Sequence, residues 1–323
     1  MKKLFLKREF GVLVLLLVLC TVVAVLNPRF LGQANLVNTA RLIGMFGIFS
    51  IGVGLVIITG GIDLSIGSLI ALVGVLSALA LNSWGLPWPL AVVALLAVAA
   101  ALGWIHGRLI TRLGLQPFIV TLCGLLFYRG IARFIASDET KGFGTAHGFE
   151  PLQRLAIGEL LGIPMPFVLL IVVAVIMGIV LQRTVFGRYL FAIGRNEEAA
   201  RYSGINTHLI VVSAYVICSV LTCISAILFA FYTNSVSPSS HGNFYELYAI
   251  AAAVLGGCAL TGGEGSISGI VIGTALLQVL QNLVNLLGIP SSLNFAVMGA
   301  VILIGVTADR LLKRRPKGFR VLV

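Results

Sequence analysis

Apolar runs long enough to cross a bilayer core as helix, about 17 to 25 residues, recur along the chain between short polar stretches. They fall at residues 11–26, 42–59, 64–81, 90–105, 118–135, 165–181, 209–232, 247–260, 267–287 and 293–306. The pattern predicts an all-α membrane protein, a polytopic helical bundle of about ten transmembrane helices within one transmembrane domain spanning residues 1–323.

Charge fixes the expected orientation. With the N-terminus cytoplasmic, sixteen of the 22 Lys and Arg residues fall in inside connections. Only Arg29, Arg41, Arg129, Arg133, Lys141 and Arg154 fall outside, which is the positive-inside pattern. Both termini are therefore expected to be cytoplasmic, with a short N-terminal segment at residues 1–10, a cytoplasmic loop at 182–208 and a basic tail at 308–323. The opening MKKLFLKREFGVLVLLLVLC has the charged and apolar parts of a secretory signal. Bulky Leu19 stands where a cleavage site wants a small residue, so the stretch reads as a retained first span. The long outside connections, 136–164 and 233–246, read as solvated loops able to meet a partner or act as a lid.

Composition sharpens the class. Of 323 residues 59% are hydrophobic and 10% charged, with a mean hydropathy of +1.08. The 37 glycines and 10 prolines suit close helix packing and helix breaks. The net charge of +11 sits at span ends, which points to membrane lipid and away from nucleic acid. Cys20, Cys123, Cys218, Cys223 and Cys258 lie in apolar stretches without a metal-ligand or redox spacing, and the four histidines match no metal pattern. No cofactor or metal is expected on this chain. No Lys precedes Ser or Thr, so there is no P-loop, and HExxH and GxSxG are absent. Catalysis has no candidate residues.

Three stretches carry candidate chemistry. In GRNEEAARYSGIN, Asn196 is a good N-cap, Glu197 and Glu198 follow in the first turn, Arg201 stands four residues after Glu197, and Gly204 suits a left-handed C-cap. These features predict a helix of about two turns, too short to stand alone in water, which must dock on its own membrane domain or on another subunit. In GGIDLSIGS, Gly60 and Gly61 allow a turn, Asp63 is suited to capping the next helix, and Ser65 and Ser68 satisfy nearby groups. A carboxylate at membrane depth costs roughly 2.5 to 3.5 kcal/mol on insertion scales, so the stretch equally reads as a break lining a polar pathway. In LGGCALTGGEGSISG, Gly262, Gly263 and Glu264 form a similar break, with Glu264 capping the following span or standing beside a gate. TGGIDLSIG and TGGEGSISG echo each other weakly. Gly269 and Gly273 form a GxxxG packing motif, and Arg129 and Arg133 share a helix face and read as snorkelling to the interface.

Taken together, VIITGGIDLSIGS, QPFIVTLCGLLFYRG, GRYLFAIGRNEEAARYSGIN and AAVLGGCALTGGEGSISG resemble the inner-membrane permease subunits of ribose, arabinose and galactose-type sugar ABC importers, over roughly residues 27–309. The resemblance implies a multi-pass protein of the bacterial cytoplasmic membrane that forms the pathway for a ribose-like monosaccharide. It implies a second permease subunit, identical or different, two cytoplasmic ATPase subunits that use the ATP, and an extracytoplasmic sugar-binding protein. By carry-over, Gly194, Asn196, Glu197, Glu198, Ala199, Ala200, Arg201, Ser203 and Gly204 form the helix that docks on the ATPase, and Gly60, Gly61, Asp63 and Ser65 lie in the membrane motif. Arg195 and Tyr202 stand where the family commonly has small or apolar residues. The rival from the residues alone is an ion-coupled secondary transporter of a small polar solute, for which Asp63 and Glu264 are the span-region acids.

Overall fold

The computed structural model describes residues 2–144 and 148–290, with side chains from Gly11 onward and a few isolated positions beyond 290. In chain order the helices are α1 (Lys2–Leu26), α2 (Gln33–Ile58), α3 (Ile66–Ala78), α4 (Trp88–Arg112), α5 (Pro117–Ile135), α6 (Glu150–Ile157) and α7 (Met165–Arg183). They continue with α8 (Val185–Arg195), α9 (Glu197–Tyr202), α10 (Thr207–Thr233), α11 (Tyr245–Leu255) and α12 (Ile267–Leu286). Among the described residues seven helices are long and apolar enough to cross a membrane: α2, α3 with the turn that prolongs it to Ser83, α4, α5, α7, α10 and α12. The protein is thus an all-α, multi-pass membrane protein. The expected tenth span at 293–306 and the basic tail at 308–323 lie almost wholly outside the described residues.

The bundle is built around α2 and α10. Helix α10 packs against α4, α2 and α3, while α2 also meets α7, α11 and α12. Glycine allows these approaches. A Cβ at Gly52 would meet the Cys218 backbone on α10, and one at Gly44 would overlap the Pro166 carbonyl on α7. The expected GxxxG contact is present, because Cβ atoms at Gly269 and Gly273 would overlap the carbonyls of Gly256 and Ala252 across the α11–α12 seam. Lipid-type surface is left on α4, α5 and α7, where Val93, Leu126, Phe127, Val175 and Ile179 are exposed.

Two expectations need correcting. The run at 247–260 is not a full span: α11 ends at Leu255, and Gly256 and Gly257, the latter at φ +101, turn the chain away. Hydropathy continues through the glycines, but a helix does not. The connection at 136–164 is not a plain solvated loop either. It carries α6 and a tight hairpin pairing residues 159–160 with 163–164, turned through Leu161 and Gly162 at positive φ. Phe143 stacks on Phe231 at 4.1 Å between centroids, and Phe149 packs on the same ring. Arg41 holds the far end by donating to the Ile157 carbonyl.

The α2–α7 approach gives a direct check. Gly44→Val should lower the thermal midpoint of the purified protein, since overpacking against backbone costs about 1–3 kcal/mol. Gly178→Val, where an added Cβ meets nothing within 4 Å, should not. Equal effects in scanning calorimetry would contradict this packing.

Candidate functional site

The charged stretch GRNEEAARYSGIN folds as its caps require. Asn196 takes an extended conformation and its side chain accepts from the Ala199 amide at 2.9 Å. The six-residue helix α9 follows, and Gly204 closes it at φ +83. The Gly204 amide donates to the Arg201 carbonyl and the Ile205 amide to that of Ala200. Ala200 is the buried member; Glu197, Glu198, Arg201 and Ser203 are exposed. No ion pair joins Glu197 to Arg201 among the described residues; Arg201 instead places its guanidinium 5.9 Å from the Tyr202 ring centroid.

Helix α8, directly before α9, is an element that the sequence reasoning missed. Its signals are present: Thr184 caps it by accepting from the Gly187 amide, and Gly187, Leu190 and Ile193 form the buried face. The last turn of α8 brings Gly194 onto both glycine breaks. A Cβ at Gly194 would overlap the Ile58 carbonyl, at the end of α2, and the Gly263 amide. Those two groups bond to each other, Gly263 N–H donating to Ile58 O at 2.9 Å. Gly60, Gly262 and Gly263 sit at φ +84, +85 and +75, a region that side chains avoid. The two TGG stretches and the charged connection therefore meet at one end of the bundle. Beside this junction a cavity of about 570 Å³ is lined by Gly60, Gly61 and Tyr215 together with Glu197, Glu198 and Arg201.

Beyond Gly61 the chain runs back into the bundle without helical bonds. Tyr215 Oη donates to the Ile62 carbonyl at 3.1 Å. Tyr215 lies eight residues into α10, so this point is about 12 Å along the helix from its start. Asp63 follows, fully buried. Its Oδ1 accepts from the Ser65 amide at 2.9 Å and from Ser65 Oγ at 2.7 Å, and Ser68 Oγ donates to the Ser65 carbonyl. Asp63 thus closes the turn before α3 and does not cap the helix itself; Ser65 is the N-cap. Oδ2 of Asp63 is buried with no protein donor. In the second break the corresponding cap is also a serine: Ser266 accepts from the Gly269 amide, whereas Glu264 is exposed. The expectation that Glu264 caps α12 is overturned, because a side chain two residues further on already occupies that position.

Residues 35–306 match the family described as the branched-chain amino acid transport system / permease component. The chain belongs to that permease family. It is similar to the ribose import permease protein RbsC of Bacillus subtilis, 38% identical over 304 residues that cover 94% of this chain and 93% of that protein. RbsC of Escherichia coli is 37% identical over 301 residues, 92% of each chain. The fructose import permease protein FruF of Bifidobacterium longum is 33% identical over 301 residues, 90% of this chain and 83% of that one. No solved structure matches the permease.

The permease holds further buried polar groups to which its sequence assigns no role. His106 on α4 bonds Tyr128 on α5 at 2.9 Å, and a Cβ at Gly124 would press on the His106 ring and on Ser65. Arg133, in the last turn of α5, forks onto Asp138 at 2.7 and 2.6 Å; that hydrogen bond holds the Asp138 carboxyl below its ordinary range. Arg129 does not snorkel. It turns inward and donates to the carbonyls of His241 at 2.7 Å and Pro238 at 3.1 Å, with a longer contact to that of Gly67. Only the fold could reveal this, since the acceptors lie 62 to 112 residues away. Among the described residues no group of three or more His, Cys, Asp or Glu could hold a metal ion.

Removing the acceptor in Asp63→Ala strands two buried donors of Ser65, at a cost of about 1–3 kcal/mol for each. Asp63→Asn keeps an oxygen in place. Thermal unfolding should show a clear loss for Ala and a small one for Asn; the reverse order would contradict the assigned turn.

Proposed function

We propose that this chain is the membrane-spanning subunit of an ATP-driven importer for a neutral monosaccharide in the bacterial cytoplasmic membrane. In this reading it crosses the membrane about ten times with both termini cytoplasmic, and α9 lies on the cytoplasmic side. Two copies, or one copy and a related chain, form the pathway, two ATPase subunits dock on α9, and an extracytoplasmic binding protein delivers sugar. The permease is not itself an enzyme, and ATP hydrolysis belongs to a separate subunit. The substrate class is supported by relatives named for ribose and fructose import that align over nearly the whole chain.

The observation that carries the mechanism is the seating of Gly194 on Ile58 and Gly263. A capped, exposed two-turn helix joined through so tight a contact to two helix breaks is suited to convert movement of a docked ATPase into a change of access. Interfaces between packed elements shift in discrete steps rather than bending continuously. The ATPase would hold α9 through its exposed residues, and the glycine contact would pass the movement to the ends of α2 and α11.

Two measurements test this. Reconstituted with its ATPase and binding protein, the permease should show sugar uptake that requires ATP; uptake that survives without ATP and collapses with an ion gradient would favour a secondary transporter. Gly204→Val, strained at φ +83, and Glu198→Lys, which reverses an exposed charge, should leave membrane insertion intact while separating ATP hydrolysis from uptake. Normal coupled transport in both variants would overturn the docking role of α9.

A further inference from the structure

The connection between α10 and α11 occupies a depth where a helix is expected. Helix α11 has eleven residues, about 16 Å at 1.5 Å per residue, roughly half of a hydrocarbon core of about 30 Å. Its C-terminal end runs into the glycine break beside Gly194, at one end of the bundle, so its start at Tyr245 lies near mid-depth. The remaining half of this crossing is therefore made by residues 234–244, which are not helical beyond single turns.

Independent contacts fix the same depth. Val236 side-chain atoms would meet a Cβ at Gly74, and the Gly242 carbonyl would meet one at Gly67, so the segment descends along α3 over seven residues of that helix. Arg129 binds its carbonyls from a point six residues, about 9 Å, inside the end of α5.

Non-helical backbone is stable at such depth only where protein covers it or water reaches it. Part of it is covered: Val236, Pro238 and Gly242 are buried, and Arg129 satisfies two carbonyls. The other face is polar and open. Ser239, Ser240 and Asn243 are exposed, and beside them Phe244 is 47% exposed. Phe244 is also held at φ +65, a conformation that costs a non-glycine residue of order 1–3 kcal/mol. Facing lipid, this surface would be unfavourable.

We infer that Ser239, Ser240, Asn243 and Phe244 line the water-filled pathway and form a contact site for a neutral monosaccharide partway across the membrane. Hydroxyl and amide groups exchange hydrogen bonds with sugar hydroxyls, and the Phe244 ring offers an apolar surface to the C–H face of a sugar ring. Of the charges near the segment, Arg129 is spent on backbone carbonyls, Glu246 is buried against Gly67, and Lys141, which pairs in register with Val236, is bonded to Glu139. The site therefore suits an uncharged polyol better than a zwitterionic amino acid. It rests on the importer reading above.

The test uses the full transporter in membranes, in a background carrying Cys20→Ala and Cys123→Ala. Ser240→Cys and Asn243→Cys should react with a charged, water-soluble methanethiosulfonate, reaction should block uptake, and the sugar with its binding protein should slow it. Val175→Cys, on the exposed apolar face of α7, should not react. Phe244→Gly, which relieves the positive φ, should retain the fold and lose roughly three- to tenfold of uptake at low sugar, as expected for one aromatic contact. If uptake is normal but both cysteines stay unreactive, or if Phe244→Gly transports like the parent, the site is wrong while the importer reading stands. If the parent shows no ATP-dependent sugar uptake, the importer reading fails first.

Discussion

One backbone hydrogen bond, from the Gly263 amide to the Ile58 carbonyl, ties together the two places where this apolar bundle stops being helical. Gly194 sits against both partners at a distance no side chain would allow. The end of α2, the turn after α11 and the last turn of α8, which leads into the short charged helix α9, are consequently packed together. A membrane interior penalises every unpaired peptide group. Each break pairs most of its peptide groups within itself, Gly60 and Gly61 donating to Ile57 and Val56 and Gly262 to Ala259, and the Gly263 bond to Ile58 joins the two. Moving the charged helix relative to either break would open the close packing of Gly194 against Ile58 and Gly263.

The same constraint accounts for the middle of the protein. After Gly61 the chain returns into the bundle as non-helical backbone, and after Thr233 a second non-helical stretch, a two-residue strand followed by turns, enters from the opposite end. Each is held by side chains from long helices: Tyr215 accounts for the Ile62 carbonyl, and Arg129 for those of Pro238 and His241. Polar residues in the spans thus have mainly a supporting purpose, keeping irregular backbone paired where water is scarce. What remains exposed on the second stretch is mostly polar, Ser239, Ser240 and Asn243 beside Phe244.

Much of this architecture is legible locally. Hydropathy locates the long helices, and Asn196, Glu197, Glu198 and Gly204 specify α9 with its caps. The failures share a cause. Residues 247–260 read as one apolar run because glycine and cysteine are not polar, yet paired glycines end the helix at Leu255. Glu264 looked like a cap because acids favour helix starts, but Ser266 is closer to the first unpaired amides. The inward turn of Arg129 and the seating of Gly194 depend on partners distant in sequence, which no local pattern encodes. The α8 signal, Thr184 with Leu190 and Ile193, was present and weak.

Amide hydrogen exchange on the intact transporter, with and without ATP bound, reports most directly on the linkage. If α9 and the two breaks form one unit, peptides covering residues 59–61, 193–196 and 261–263 should change their protection together and in the same step. A change confined to residues 196–204, with both glycine breaks unaffected, would contradict that linkage.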